Sequence, residues 1–144
     1  MDQEWNSRSG HASTTDPDSR LYRKAAGREV KLCYMGHALM DNRHGLAVAG
    51  RVAQATGTAE RGASEAMLKA QAKSGRGRIT VGEDKAYDTA DHVANLRAAG
   101  VTPHVTQNNG ETKTGKRRRS AIDGRTSRHP GYAMAMRCHS PAGR

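Results

Sequence analysis

The sequence predicts an α/β fold made of a β-hairpin, a helix, a strand, a second helix and a final strand. Two observations lead to this prediction. Apolar residues alternate with a period of two over residues 29–54 and 78–84, which is typical of strands. Residues 59–74 and 89–99 instead carry apolar side chains at helical spacing. Strands that alternate with helices in this order favour a layered α/β domain.

The first predicted element is a β-hairpin over residues 29–54. Residues 41–45 are typical turn residues, and the apolar alternation runs up to them and resumes after them. The first strand of the hairpin has apolar side chains on both faces, so we expect both faces to be partly buried. The preceding residues 1–28 are rich in Ser, Asp, Arg and Gly and lack apolar periodicity, which predicts a flexible arm.

Two helices and two strands are predicted to follow the hairpin. Residues 59–74 are rich in Ala, and a glycine follows directly as a C-terminal stop. The apolar stripe at helical spacing consists of Ala63, Ala66, Met67 and Ala70. The strand over residues 78–84 leads to Thr89, which is a good N-cap for the helix over residues 89–99. A last short strand is predicted over residues 101–105.

The strand over residues 78–84 ends in carboxylates, and one of them is the candidate catalytic residue. Asp84 would lie at the carboxyl end of that strand, where open α/β sheets place ligands and where carboxylates commonly hold divalent metals. Asp84 is therefore the candidate catalytic and metal-binding residue. The alternative is that Glu83, Asp84 and Asp88 are ordinary strand-end and first-turn acids that complement the dipole of the next helix.

Residues 106–130 show no apolar periodicity and are predicted to form a mobile basic loop. Residues 110–116 have the glycine and lysine spacing of a phosphate-binding loop. Arg117 stands where that loop needs a Ser or Thr, which argues against nucleotide binding. A solvated charged loop is one interpretation of this segment. The other is a DNA-binding patch whose cations contact phosphates, and its candidate residues are Lys113, Lys116, Arg117, Arg118 and Arg119.

The composition favours a small basic protein with a nucleic-acid partner. The chain has 144 residues, only 35% of them apolar, which allows one domain at most with a thin core. Its net charge of +10 predicts attraction to a polyanion. The sequence has no apolar run long enough for a membrane span and no signal peptide, so we expect a cytoplasmic protein without a membrane partner. Seven histidines show no paired metal-ligand spacing, so no zinc site is predicted.

Five sequence blocks, in this order, resemble the middle of bacterial insertion-sequence transposases of the DDE class. The order of the blocks makes the resemblance more specific than any single block, and it extends from about His11 to Met134. The blocks are residues 13–24, 31–40, 84–88, 101–105 and 120–132.

The resemblance implies an incomplete ribonuclease H-like domain with disordered basic tails. The partial catalytic domain would span residues 29–105, and residues 106–144 would form a basic, largely irregular segment. Asp84 matches the second of three carboxylates that hold magnesium ions in the intact family enzymes. One ion activates the attacking water or 3′-hydroxyl, and the other stabilises the leaving oxygen. The family enzymes act as oligomers on DNA ends, so DNA is the implied partner.

Two departures from the family pattern alter this expectation. The first family Asp lies on the central strand upstream of the matching blocks, and the last Glu lies on a helix downstream of them; neither is found in this chain. We therefore expect a truncated, catalytically inactive transposase fragment that does not bind magnesium tightly. Pro141 and Gly143 oppose a helix in the tail, so we also expect a frameshift near the codons for residues 132–137. The alternative to a frameshift is a genuine short protein whose tail serves its own use. The alternative function is that of a non-catalytic basic nucleic-acid-binding protein.

Overall fold

A computed structural model describes residues 13–75 and 77–139, with side chains through Arg137. The N-terminal part of the predicted flexible arm and the tail after residue 139 lie outside the described residues. The chain divides into two compact units, Met1–Met67 and Leu68–Arg144. The elements are β1 (Arg20–Tyr22), β2 (Lys31–Met40), β3 (Ala47–Gln54), α1 (Ala59–Lys73), β4 (Ile79–Glu83), α2 (Ala90–Ala98), β5 (Val101–Val105), α3 (Gly124–Ser127) and α4 (Pro130–His139).

The first unit contains a three-stranded antiparallel sheet in the order β1-β2-β3, and the predicted hairpin forms its larger part. Strand β2 pairs with β3 from Tyr34↔Gln54 to Met40↔Ala47. The turn closes with the N–H of Asp41 donating to the carbonyl of Leu46 at 2.8 Å. Gly45 has a φ of 68°, a left-handed conformation that glycine adopts at little cost and that lets the chain reverse here. The predicted hairpin is therefore confirmed.

Strand β1 lies within the segment that was predicted to be a flexible arm. It pairs antiparallel with the start of β2, from Arg20↔Cys33 to Tyr22↔Lys31. The preceding turn is also attached to the sheet, because the hydroxyl of Tyr34 donates to a carboxylate oxygen of Asp16 at 2.8 Å. The prediction of a flexible arm is thus wrong for these residues. A three-residue strand is too short to produce a detectable alternation in the sequence.

The two faces of β2 differ in burial, contrary to the prediction that both are partly buried. Cys33, Met35, His37 and Leu39 point to one face and are half-buried. Side chains on the other face are exposed, as at Leu32 and Tyr34, and so is Val52 on the neighbouring strand β3. Period-two alternation marks a strand but does not show which face will be covered, because the covering element is distant in sequence.

Helix α1 spans the boundary between the two units and begins and ends close to the predicted positions. Its buried positions are Ala59, Ala63, Ser64, Met67 and Leu68, and the last four recur at the spacing of three and four that shares one side of a helix. The sequence also predicted Ala70 for this apolar stripe, but Ala70 is exposed. A small alanine contributes little apolar area, so its spacing alone is a weak indicator of burial.

The second unit is built on two parallel strands, β4 and β5, paired from Ile79↔Val101 to Glu83↔Val105. Helix α2 connects them. Its N-cap is Thr89, whose hydroxyl accepts the N–H of His92 at 3.4 Å, as predicted. The buried apolar residues of this unit are Leu68, Val81, Val93, Leu96, Val101, Val105, Ile122 and Tyr132.

Residues 106–139 are more ordered than the sequence predicted. They contain a small hairpin, in which Glu111 bridges Arg117, and the helices α3 and α4. Tyr132 on α4 donates its hydroxyl hydrogen bond to the carbonyl of Val105 at 2.9 Å, which attaches the helix to the end of β5. The sequence did not predict α3 and α4, whereas residues 106–123 contain turns and one isolated bridge and are otherwise irregular.

The predicted fold class is confirmed at the level of a mixed α/β protein. Its strands form a three-stranded antiparallel sheet and a two-stranded parallel sheet, with no strand common to both among residues 13–75 and 77–139. Within those same residues, no helix has both the length and the apolar character needed to cross a membrane.

Candidate functional site

The candidate site is the edge where the parallel strands β4 and β5 end. Asp84 follows directly after β4, and its side chain is exposed. One of its carboxylate oxygens accepts the N–H of Ala86 at 2.7 Å, which caps a single 3-10 turn, Lys85–Tyr87. The sequence therefore predicted the location of Asp84 correctly. The structure adds that the carboxylate also stabilises the turn that leads into α2.

Glu83, the neighbour of Asp84, points in the opposite direction and is buried. Its carboxylate lies 2.8 Å from Nε2 of His92, and the two side chains are only 7% and 1% exposed. A buried carboxylate needs such a partner, because an unpaired charge away from water is costly. The contact ties the end of β4 to the first turn of α2, and it therefore stabilises the strand edge from which Asp84 projects.

Asp88 connects the strand edge to the basic segment. One carboxylate oxygen accepts the N–H of Asn108 at 2.6 Å, and the other accepts the N–H of Ala121 at 2.9 Å. The side-chain amide of Gln107 also donates to the carbonyl of Ile122 at 3.0 Å. These three hydrogen bonds join the two ends of the segment at its base. The segment between residues 108 and 121 therefore begins and ends beside the carboxylate of Asp88.

The basic hairpin, defined here as residues 110–119, projects from that base. The N–H of Arg118 donates to the carbonyl of Gly110, and the N–H of Thr112 donates to the carbonyl of Lys116, both at 2.8 Å. Gly115 has a φ of 77°, which permits the tight reversal. The prediction of a loop without structure is wrong here. Five exposed cations lie on the hairpin, and they are the predicted phosphate contacts Lys113, Lys116, Arg117, Arg118 and Arg119.

The two carboxylates nearest to Asp84 in the sequence both contact other groups of the protein. Glu83 is buried against His92, and both oxygens of Asp88 accept backbone N–H groups. Among the described residues, no group of three or more His, Cys, Asp or Glu side chains is arranged to hold a metal ion. Two-metal phosphoryl transfer needs several carboxylates around one point. Around Asp84, the described residues do not bring such a group of carboxylates together.

Three aromatic rings form a second cluster, around His104 of β5. His104 is buried, and its ring centroid lies 5.9 Å from that of His129 and 5.7 Å from that of Tyr132. A Cβ atom on Gly131 would lie 3.2 Å from Cε1 of His104, so the absence of a side chain lets α4 approach this closely. Burial lowers the pKa of His104, and the nearby His129 lowers it further, while a backbone hydrogen bond to Gly131 has the opposite effect.

We expect the lowered pKa of His104 to make folding stability depend on pH. The unfolded chain takes up this proton first as the pH falls below about 6.5, the ordinary value for histidine, so protonation favours unfolding. Stability should be fully present above that pH and should decline as the pH falls through the folded-state pKa. Urea unfolding of wild type and His104→Gln between about pH 8 and pH 5 measures the effect. The variant should lose less stability on acidification than wild type. His44→Gln is the control, because it removes an exposed histidine. An equal loss of stability in wild type and His104→Gln would contradict the assignment of the pH dependence to His104.

The sequence did not reveal the roles of Glu83, His92 and Asp88. Glu83 was interpreted as an ordinary strand-end acid, and Asp88 as an acid near the helix N-terminus. The sequence contained one indication of a partner for Glu83, since His92 follows nine positions later and lies among the buried residues of α2. The contacts of Asp88 are with residues 20 and 33 positions away, so no local pattern indicates them.

The site therefore consists of the exposed carboxylate of Asp84 at a parallel strand edge and a cationic hairpin whose base is hydrogen-bonded to Asp88, four positions further along the chain. Comparisons of the chain with protein-family models, with curated proteins and with solved structures find no match.

Proposed function

We propose that the chain corresponds to the part of a DDE-type insertion-sequence transposase that carries the second catalytic carboxylate, and that it binds DNA without cleaving it. The order of the sequence blocks motivates the family, and Asp84 is the residue that matches the carboxylate. In this proposal the parallel pair β4 and β5 with α2 corresponds to part of a ribonuclease H-like domain, and the chain acts in the cytoplasm. The intact enzymes would bind magnesium and act as oligomers on DNA ends.

The observation that carries the proposal is that Asp84 and the basic hairpin arise from the same strand edge. Only three residues separate Asp84 from Asp88, whose carboxylate holds both ends of the hairpin segment. An exposed carboxylate and a cationic hairpin that start from one strand edge suit a phosphodiester substrate, because the cations attract the phosphates toward the edge where metal-assisted chemistry would take place. A carboxylate without such cations would repel DNA.

The absence of cleavage in this proposal follows from the carboxylates available at the edge. Magnesium prefers octahedral oxygen ligands and is usually held by more than one carboxylate together with substrate phosphates. Glu83 and Asp88 are both engaged by protein groups, so releasing either would break a hydrogen bond that stabilises the second unit. Asp84 alone therefore offers too few ligands for two ions.

We expect the purified chain to bind duplex DNA without sequence preference and with a steep dependence on salt. If all five cations of the basic hairpin contact phosphates, log K should fall against log salt with a slope of about −4.5, since each contact contributes about −0.9. Fluorescence anisotropy with two unrelated duplexes of equal length, titrated at several salt concentrations, measures both properties. Binding that is independent of salt, or confined to one of the two duplexes, would contradict the proposal.

The second candidate is a non-catalytic basic nucleic-acid-binding protein unrelated to transposases, which the net charge of +10 alone would favour. Neither candidate cleaves DNA, so magnesium-dependent nicking of supercoiled plasmid that disappears in Asp84→Ala would contradict both. Translating the flanking nucleotide sequence in all frames separates them, because the other two family carboxylates should be encoded there only if the chain derives from a transposase.

A further inference from the structure

We infer that Asp88 is a positioning residue for DNA binding, which holds the basic hairpin in a conformation that presents its cations together. This inference rests on the proposed DNA-binding function of the hairpin. It assigns to Asp88 a role different from that of Asp84, which lies four positions earlier and projects into solvent. Asp88 is half-buried, and it touches the two ends of the segment rather than the cations themselves.

The geometry at Asp88 requires a carboxylate. Each of its two oxygens accepts one backbone N–H, from Asn108 on one side and from Ala121 on the other. Hydrogen bonds to an ionised acceptor are shorter and stronger than neutral ones, and the 2.6 Å contact with Asn108 is of that kind. An asparagine in the same place could accept only one of these N–H groups, because its amide nitrogen is a donor and would face the second N–H.

The hydrogen bonds of Asp88 are at the right place to determine the order of the hairpin. Beyond them, the hairpin has its own short backbone ladder, from Gly110 to Arg118, and a turn at Gly115. A two-stranded ribbon of this size is only marginally stable unless its ends are fixed. Fixing the base therefore reduces the conformational freedom that the cations must lose when they bind phosphates.

Simple electrostatics and the positioning role predict opposite effects of the same substitution. Asp88→Asn removes a negative charge near five cations, so charge alone predicts tighter DNA binding. Positioning predicts weaker binding, because the base of the hairpin opens. The matched control is Asp91→Asn, which makes the same charge change at an exposed residue in the first turn of α2.

The experiment measures duplex DNA affinity at fixed salt for wild type, Asp88→Asn and Asp91→Asn. We expect Asp88→Asn to bind about fivefold to tenfold more weakly than wild type, the size expected when a few long side chains must be ordered on binding. Asp91→Asn should bind as tightly as wild type or slightly more tightly. Affinity of Asp88→Asn equal to or above that of Asp91→Asn would overturn the inference.

Amide hydrogen exchange on the same proteins separates positioning from general loss of structure. In Asp88→Asn we expect faster exchange at Thr112 and Arg118, whose N–H groups close the hairpin, and unchanged protection in β5. If the amides of β5 also lose protection in Asp88→Asn, both measurements are repeated with Asp88→Glu, because this change keeps the charge and both acceptor oxygens. In either variant, a hairpin that loses protection while DNA affinity stays at the wild-type level would show that positioning is not needed.

A further comparison distinguishes failure of this inference from failure of the proposed function. In the four-cation variant, Lys116, Arg117, Arg118 and Arg119 are all replaced by Ala. If that variant binds DNA as wild type does, the hairpin is not the DNA contact and the proposed function fails. If it binds weakly, adding Asp88→Asn to it should cause no further loss, because the group that Asp88 positions is already gone. A further loss of fivefold or more in that background would overturn the inference alone.

Discussion

The four-cation variant should bind duplex DNA far more weakly than wild type. Each of the four cations that contacts a phosphate contributes about 0.9 to the salt slope, so the slope should become shallower by about 3.6. At about 0.1 M salt this corresponds to a loss of affinity on the order of 1,000-fold relative to wild type. The reason is that counterions released from the DNA supply most of the binding free energy of such contacts.

The control for the four-cation variant must remove the same charge elsewhere. Four exposed cations in the loops of the first unit serve this purpose, and they are Arg23, Lys24, Arg28 and Arg43. Replacing all four by Ala also subtracts four charges from the net charge of +10. If binding depended on net charge alone, both variants would weaken equally. An unchanged salt slope in the four-cation variant, or an equal change in the control, would exclude the hairpin as the contact surface.

Glu83→Ala is expected to destabilise the second unit by about 1–3 kcal/mol, the usual cost of leaving a buried hydrogen-bonding group without the partner that was removed. His92 is only 1% exposed and would lose its 2.8 Å contact with the carboxylate. The imidazole ring would stay buried without the carboxylate, and a charged imidazole in that position would be costly. A domain with a thin apolar core has little stability in reserve, so partial unfolding at room temperature is an expected result.

Urea unfolding followed by circular dichroism measures the effect of Glu83→Ala. Asp91→Ala is the control, because it removes an exposed carboxylate from the same unit and should cost less than about 1 kcal/mol. The double variant Glu83→Leu/His92→Leu should lose less stability than Glu83→Ala, since no polar group then remains buried without its partner. A loss below about 1 kcal/mol in Glu83→Ala would mean that the pair does not support the fold.

Much of the secondary structure could be predicted because local signals determine it. The turn around Gly45, the N-cap at Thr89 and the apolar alternation of β2 act over a few residues, and each appears in the structure where the sequence indicated. The position of Asp84 after β4 follows from the same local pattern. The basic character of residues 113–119 is likewise a property of composition, and it required no structure to be recognised.

The organisation of the site required information that no local pattern contains. The pairing of Asp88 with residues 108 and 121 depends on how α2 and β5 pack, and that packing comes from buried side chains such as Val93 and Val105. The same packing turns a segment without periodicity into a hairpin with a fixed base. Backbone N–H groups at the ends of that segment need acceptors once they leave water, and a carboxylate from a distant part of the chain supplies them. The sequence was therefore sufficient to locate Asp84 and the cations, whereas their connection through Asp88 follows from the burial of groups that lie far apart along the chain.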